Sequence, residues 1–172
     1  MDAFPAFIPL RGRRVILAGT GEGAEAKARL LEGSPAEVVR LTGPAAFDPA
    51  SYAGAALAFV ADEAEDFRQA AAAAARTAHV PLNVVDRPQD SDFYTPSVID
   101  RGQVVVAIGT DGASPMLASM LRSDIEALAP EGLGRVAQLL RAHQSEVRAA
   151  LPQPHQRRAF LRAALNGPAA AA

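Results

Sequence analysis

Hydrophobic and polar positions alternate along this chain in two rhythms, one short and continuous, one helical. Val15-Ile16-Leu17-Ala18 is an unbroken apolar run, the pattern of a parallel strand covered on both faces. A glycine turn follows, then a helix to which Leu30 and Leu31 give an apolar face, stopped by Gly33-Ser34-Pro35. "AEVVRLTG" predicts a second strand, and Leu57, Phe59 and Val60, running into Asp62, predict a third. "RQAAAAAARTAH" is an alanine-rich helix former, and "VPLNVVD" is the next strand. Strand–helix alternation up to about residue 90 predicts a doubly wound α/β fold.

The rhythm then changes. Val98-Ile99 and Val104 to Ile108 predict two strands around an Asp100-Arg101-Gly102 turn. Ser114 has the chemistry of a helix N-cap, with Pro115 at the first helical position. Leu117, Leu121, Ile125 and Leu128 form an apolar stripe on that helix. From "EGLGRVAQLLRAHQSEVRAAL" onward the pattern is helical. Pro152 and Pro154 break it, and a last helix, "HQRRAFLRAALNG", is expected to end at Asn166-Gly167-Pro168.

Bulk properties narrow the function classes. The chain has 172 residues, enough for one large domain or a domain with a helical appendage. A net charge of −2 offers no basic face for nucleic acid. The absence of cysteine excludes disulfides, thiolate metal sites and cysteine catalysis. "MDAFPAFIPLRGRR" lacks a basic segment ahead of an apolar run, and no apolar stretch is long enough for a membrane span, so the expected address is cytoplasmic. His79, His143 and His155 share no ligand spacing, so no resident metal is expected.

Gly19-Thr20-Gly21-Glu22-Gly23-Ala24 fits G-x-G-x-x-G/A directly after a strand and at the opening of a helix. Gly19 permits the tight turn, Gly21 lets backbone approach a pyrophosphate, and Ala24 allows close helix–strand packing. The helix start adds N–H donors and a positive dipole. A ligand-free tight turn is the bland alternative, and the strand-and-helix context favours dinucleotide binding. The second strand does not end in the usual acid: Val39-Arg40-Leu41-Thr42-Gly43 stands there. Arg40 reads either as a partner for a 2′-phosphate or as a solvated edge residue. Asp62 reads equally as a cofactor-site residue or as an N-cap.

Asp86 leaves the "NVVD" strand at the carboxyl end, where open α/β sheets bind ligands. It is either a base at the mouth of a pocket or a turn residue of "VDRP"; position alone does not choose. The neighbouring Asn83 reads as a structural hydrogen-bonder.

"FIPLRGRRVILAGTGEGAEAKARLL", then "NVVD", then "FYTPSVIDRGQVVVAIGTDGASPMLASMLRSDIEAL" resembles the N-terminal module of siroheme synthase over most of residues 5–150. That family comprises precorrin-2 dehydrogenases, some of which also act as sirohydrochlorin ferrochelatases. The resemblance implies a Rossmann-like NAD-binding domain at 1–95, a dimerisation segment at 96–129 and a small C-terminal helical domain at 130–172, assembled as a homodimer. It implies that Asp86 is catalytic, and that Gly19, Gly21, Glu22, Gly23, Ala24, Thr42, Gly43 and Asp62 line the NAD site. Arg101 and Arg122 are candidates for the carboxylates of a tetrapyrrole, because arginine pairs with carboxylates at two points; Thr110 and Ser114 are candidates for the border of the same cleft. Fe²⁺ would be a substrate, not a resident cofactor.

Two departures accompany the resemblance. Thr42 to Gly54 is shorter than relatives have there, so one strand is expected to be missing, and Gly109-Thr110-Asp111 replaces a serine- and glycine-rich stretch. They leave a second reading open, a non-catalytic dinucleotide-binding or assembly module. A short-chain dehydrogenase is excluded, because its Tyr-x-x-x-Lys pair is absent: the sole lysine, Lys27, has Gly23 four residues before it.

Overall fold

The computed structural model describes residues 2–165. They form two compact units that meet between Thr95 and Pro96. The expected helix end at Asn166-Gly167-Pro168 lies outside the described residues.

The first unit carries β1 (Arg14–Ala18), α1 (Glu22–Leu31), β2 (Glu37–Leu41), β3 (Leu57–Val60), α2 (Glu65–Thr77) and β4 (Leu82–Val84). The strands make one parallel sheet in the order β2-β1-β3-β4. Val15 to Ala18 and Leu57 to Val60 are all buried, which explains why both read as continuous apolar runs. One face of the sheet packs Ile16, Ala18, Ala58 and Val60 against the alanine side of α2, where Ala71, Ala72, Ala74 and Ala75 let helix and sheet approach closely. The other face packs Leu17 and Phe59 against Ala24 and Leu31 of α1.

Between β2 and β3 the chain makes two 3-10 turns, Gly43–Phe47 and Pro49–Tyr52. A doubly wound sheet of the 3-2-1-4 type has another strand there, on the far side of β2. In its place Tyr52 is fully buried, and its hydroxyl donates to the Ala46 carbonyl at 2.8 Å. Burial pushes this phenol up to about 12. At the opposite edge, residues 91–93 cover β4. The Leu82 N–H donates to the Asp92 carboxylate, the Asp92 N–H donates to the Leu82 carbonyl, and the Asn83 amide donates to the Phe93 carbonyl. Asn83 is thereby structural, and the sheet edge is closed to further pairing.

The second unit opens with an antiparallel hairpin, β5 (Ser97–Arg101) and β6 (Val104–Ile108). The turn is tighter than the sequence suggests: Asp100 and Arg101 belong to the strand, and Gly102, at φ +74°, makes the reversal. The Asp100 carboxylate accepts the Gly102 N–H at 2.7 Å. The first helix of this unit, α3 (Pro115–Leu128), is capped as expected, with the Leu117 N–H donating to Ser114 Oγ at 3.2 Å. Next come α4 (Leu133–Ala142), α5 (Gln144–Ala150) and α6 (Pro154–Leu165), with a break at His143 that the sequence pattern does not signal. Gly134 of α4 sits so close to the hairpin that a Cβ there would stand 1.9 Å from the Arg101 carbonyl oxygen. Packing therefore continues without a gap from the hairpin into α4.

Candidate dinucleotide and catalytic site

Steric demands on both sides shape the glycine turn. Gly19 has φ +111°, and a Cβ on it would lie 2.1 Å from the Ala61 carbonyl oxygen. Its N–H donates to the Leu41 carbonyl at 2.9 Å, which ties the turn to the end of β2 beside Thr42 and Gly43. Gly21 adopts φ +86°, ψ −173°, a region essentially closed to other residues. Nothing lies within 4 Å of where its Cβ would be. No side chain caps the start of α1, which leaves the first helix N–H groups without a cap partner. An open glycine backbone and an uncapped helix start fit a pyrophosphate. The Glu22 side chain points outward and pairs with Arg29 at 3.3 Å.

Asp62 is not the N-cap of α2. The N-cap of α2 is Ala64. One Asp62 carboxylate oxygen accepts both the N–H and the hydroxyl of Thr20 at 3.1 Å, and the other accepts the Ala64 N–H at 3.0 Å. The carboxylate thus clamps the glycine turn to the end of β3. These bonds, that from Ala64 first, hold its pKa below the ordinary aspartate value.

Asp86 sits two residues beyond β4 at φ +59°, in a tight turn closed by the Arg87 N–H donating to the Val84 carbonyl at 3.1 Å. Its side chain is exposed. Val85, just before it, packs on the first turn of α1: a Cβ on Gly23 would stand 3.4 Å from Val85 Cγ1. The turn that carries Asp86 and the turn that would cradle a pyrophosphate are therefore in direct contact. Asp86 is a turn residue, as one of the two sequence alternatives has it.

Lys27 escapes sequence reasoning. It is half-buried, its ammonium donates to Thr95 Oγ1 at 2.9 Å, and it lies 5.4 Å from the centre of the Phe59 ring. Phe93 packs edge-on against the same ring at 5.6 Å. Burial lowers the lysine pKa, and the nearby Asp86 carboxylate partly offsets that. One signal exists: Ala24, Lys27, Ala28 and Leu31 share the buried face of α1 at helical spacing.

The remaining candidates belong to the second unit. Thr110 and Ser114 bond each other around the turn that precedes α3. Arg101 is taken up internally: it donates to the Ala129 carbonyl and pairs with Glu126 at 3.1 Å. Arg122 shares Glu126 at 3.7 Å and stays about half exposed. Among the described residues no three acidic or histidine side chains cluster as metal ligands. No helix among them is long and apolar enough to cross a membrane.

A family model described as "Putative NAD(P)-binding" matches residues 6–97, and one for the sirohaem synthase dimerisation region matches 132–172. The siroheme synthase of Methylococcus capsulatus is 38% identical over 188 aligned residues, which take in 99% of this chain and 40% of that protein. That of Azotobacter vinelandii is 36% identical over 99% of this chain and 40% of its own length. The chain thus spans about two fifths of the curated relatives it matches. These alignments are longer than the chain itself, so the relatives carry residues that it lacks. Among solved structures, a protein titled SirC, precorrin-2 dehydrogenase superposes with a TM-score of 0.63 at 16% identity, covering 96% of this chain and 90% of that one, a likeness of fold. With more than half of its residues inside the NAD(P)-binding model, and siroheme synthases matched from end to end of the chain, it belongs to the NAD(P)-binding family that forms the N-terminal module of siroheme synthases.

Proposed function

We propose that this chain is an NAD-dependent precorrin-2 dehydrogenase that makes sirohydrochlorin. Precorrin-2 gives a hydride to NAD⁺ and a proton to a base, leaving sirohydrochlorin and NADH. The contact between Val85 and the first turn of α1 carries this reading, since it sets one carboxylate beside the cradle for the cofactor. Bound NAD⁺ would supply the hydride acceptor. Gly19, Gly21, Gly23 and Ala24 would hold its pyrophosphate side, and Thr42 and Gly43 would border its ribose. Asp62 would act from behind, keeping Thr20 in place. Asp86, exposed and held by its own backbone turn, would take the proton.

Within the second unit, Arg122 keeps an exposed guanidinium that would suit a carboxylate of the macrocycle, whereas the Thr110 and Ser114 hydroxyls are engaged in the turn and cap before α3. Arg101 has the weakest claim, because its donors are already engaged. We read the second unit as the homodimer surface. Met116, Leu117, Met120, Leu121 and Leu128 of α3 are all exposed, a face that a second copy would cover. We divide the chain at 1–95, 96–129 and 130–172, with the matched dimerisation region, 132–172, falling in the last part beside the α3 face, and a cytoplasmic address fits a reaction that draws on NAD⁺.

The test is anaerobic incubation with precorrin-2 and NAD⁺, following NADH and sirohydrochlorin together, then adding Fe²⁺. One NADH per sirohydrochlorin supports the reading, and siroheme formed above the uncatalysed rate would make Fe²⁺ a second substrate. Bound NAD⁺ without turnover would favour the non-catalytic module instead.

A further inference from the structure

Dinucleotide sites of this architecture place a discriminating side chain about 20 residues beyond the glycine turn: an acid for the ribose hydroxyl of NAD, or an arginine for the 2′-phosphate of NADP. Arg40 stands at that distance, near the end of β2. Taken alone it would favour the phosphate. Its guanidinium, however, is already held at two points, donating to Glu25 Oε1 at 2.5 Å and to Oε2 at 3.0 Å. Both side chains are about half exposed, 53% and 51%, so the pair faces solvent at the rim and not the core. Leu41 points the other way, into the core, as strand alternation requires. The Gly19–Leu41 backbone bond holds this strand end and the glycine turn in one frame.

We infer that Glu25 is a specificity-determining residue: by holding Arg40 in a two-point pair, it withholds that guanidinium from a 2′-phosphate and disfavours NADP. The inference rests on the reading that a dinucleotide binds at the glycine turn. A 2′-phosphate arriving at Arg40 would meet an ionised carboxylate on the same guanidinium. It would have to displace Glu25 or bear the repulsion between two anions. The neutral 2′-hydroxyl of NAD meets neither cost. The acid missing from the end of β2 thus has a counterpart on α1, which acts by occupying the arginine.

The test is calorimetric titration of the full chain with NAD⁺ and with NADP⁺, for wild type, Glu25→Gln, Glu25→Ala, Arg40→Leu and the Glu25→Gln/Arg40→Leu double variant. Wild type should prefer NAD⁺. Each Glu25 variant should tighten NADP⁺ by about tenfold or more, the scale of one freed charge-assisted hydrogen bond, and leave NAD⁺ within about twofold. The double variant should lose the gain. An NADP⁺ affinity indifferent to both Glu25 variants would overturn the inference and leave the binding site standing. So would a gain that survives Arg40→Leu, or a large loss of NAD⁺ affinity, which would make Glu25 a direct ribose ligand. Wild type that binds neither nucleotide would remove the dinucleotide reading and the inference with it.

Discussion

Replacing Gly19 by alanine should damage the fold of the first unit far more than the same change at Gly21. At Gly19 two costs combine. The backbone is at φ +111°, where an L-residue is strained by about 1–3 kcal/mol. The new methyl would also stand 2.1 Å from the Ala61 carbonyl oxygen and 2.7 Å from its carbon. Overpacking typically costs about 1–3 kcal/mol, and this obstacle is backbone fixed within the sheet, since the Ala61 N–H is bonded to the Ala18 carbonyl. A total of roughly 2–6 kcal/mol is expected, a large part of the stability of an ordinary domain. At Gly21 only the strain applies, about 1–3 kcal/mol, because nothing lies within 4 Å of the added carbon. Urea unfolding followed by circular dichroism would measure both, and the midpoint should fall much further for Gly19→Ala at similar slope. Gly21→Ala should remain folded and lose NAD⁺ affinity, because its methyl occupies the space where backbone meets pyrophosphate. A Gly19→Ala protein within about 1 kcal/mol of wild type would refute the packing argument.

Gly134→Ala should destabilise the second unit through the clash with the Arg101 carbonyl, by a few kcal/mol on the scale of about 1–3 for overpacking, and melting curves would register it. Tyr52→Phe leaves the buried Ala46 carbonyl without its donor and should cost about 1–3 kcal/mol in urea titrations. The Tyr52 proton is held more tightly folded than unfolded, so its contribution is complete below the ordinary tyrosine value of 10.0 and is lost as pH rises toward about 12. Stability of wild type should therefore decline more steeply than that of Tyr52→Phe across that alkaline window. Asp62 behaves in the opposite sense: its folded pKa lies below 3.8, so its contribution is present above that value and is lost as pH falls further. Melting temperatures should accordingly drop more steeply in acid for wild type than for Asp62→Asn, and equal slopes would contradict the clamp.

Elements set by local chemistry are legible in the sequence alone. The strand, glycine turn and helix at Val15 to Leu31 follow from small residues between two apolar patterns, and the Ser114–Pro115 helix start follows from capping chemistry. Features that the sequence leaves hidden depend on distant partners. Lys27 meets Thr95 across 68 residues, and Arg40 meets Glu25 across two elements. No periodicity encodes either pairing. Asp62 is recognisable as an acid at a strand end, but its use as a clamp requires the Thr20 turn to fold over it. The stripe of Leu117, Leu121, Ile125 and Leu128 has the pattern of a core-facing helix, yet α3 has no buried residue in the single chain. An apolar face left exposed and one that faces a core have the same spacing in the sequence. The strand pattern puts Asp86 just beyond the carboxyl end of β4, but its left-handed turn is invisible because aspartate tolerates that conformation without announcing it.

The central claim, that Asp86 does chemistry on a frame built by the glycine turn, is tested most directly by Asp86→Asn. Asparagine tolerates φ +59° and keeps the turn, so the melting temperature should stay near that of wild type. NAD⁺ affinity should hardly change, since the cradle is made by other residues. The measurement is anaerobic NADH formation from precorrin-2, and removing a positioned base should lower its rate by about 10²–10⁴-fold. A folded Asp86→Asn protein that binds NAD⁺ and reduces it at the wild-type rate would contradict the account.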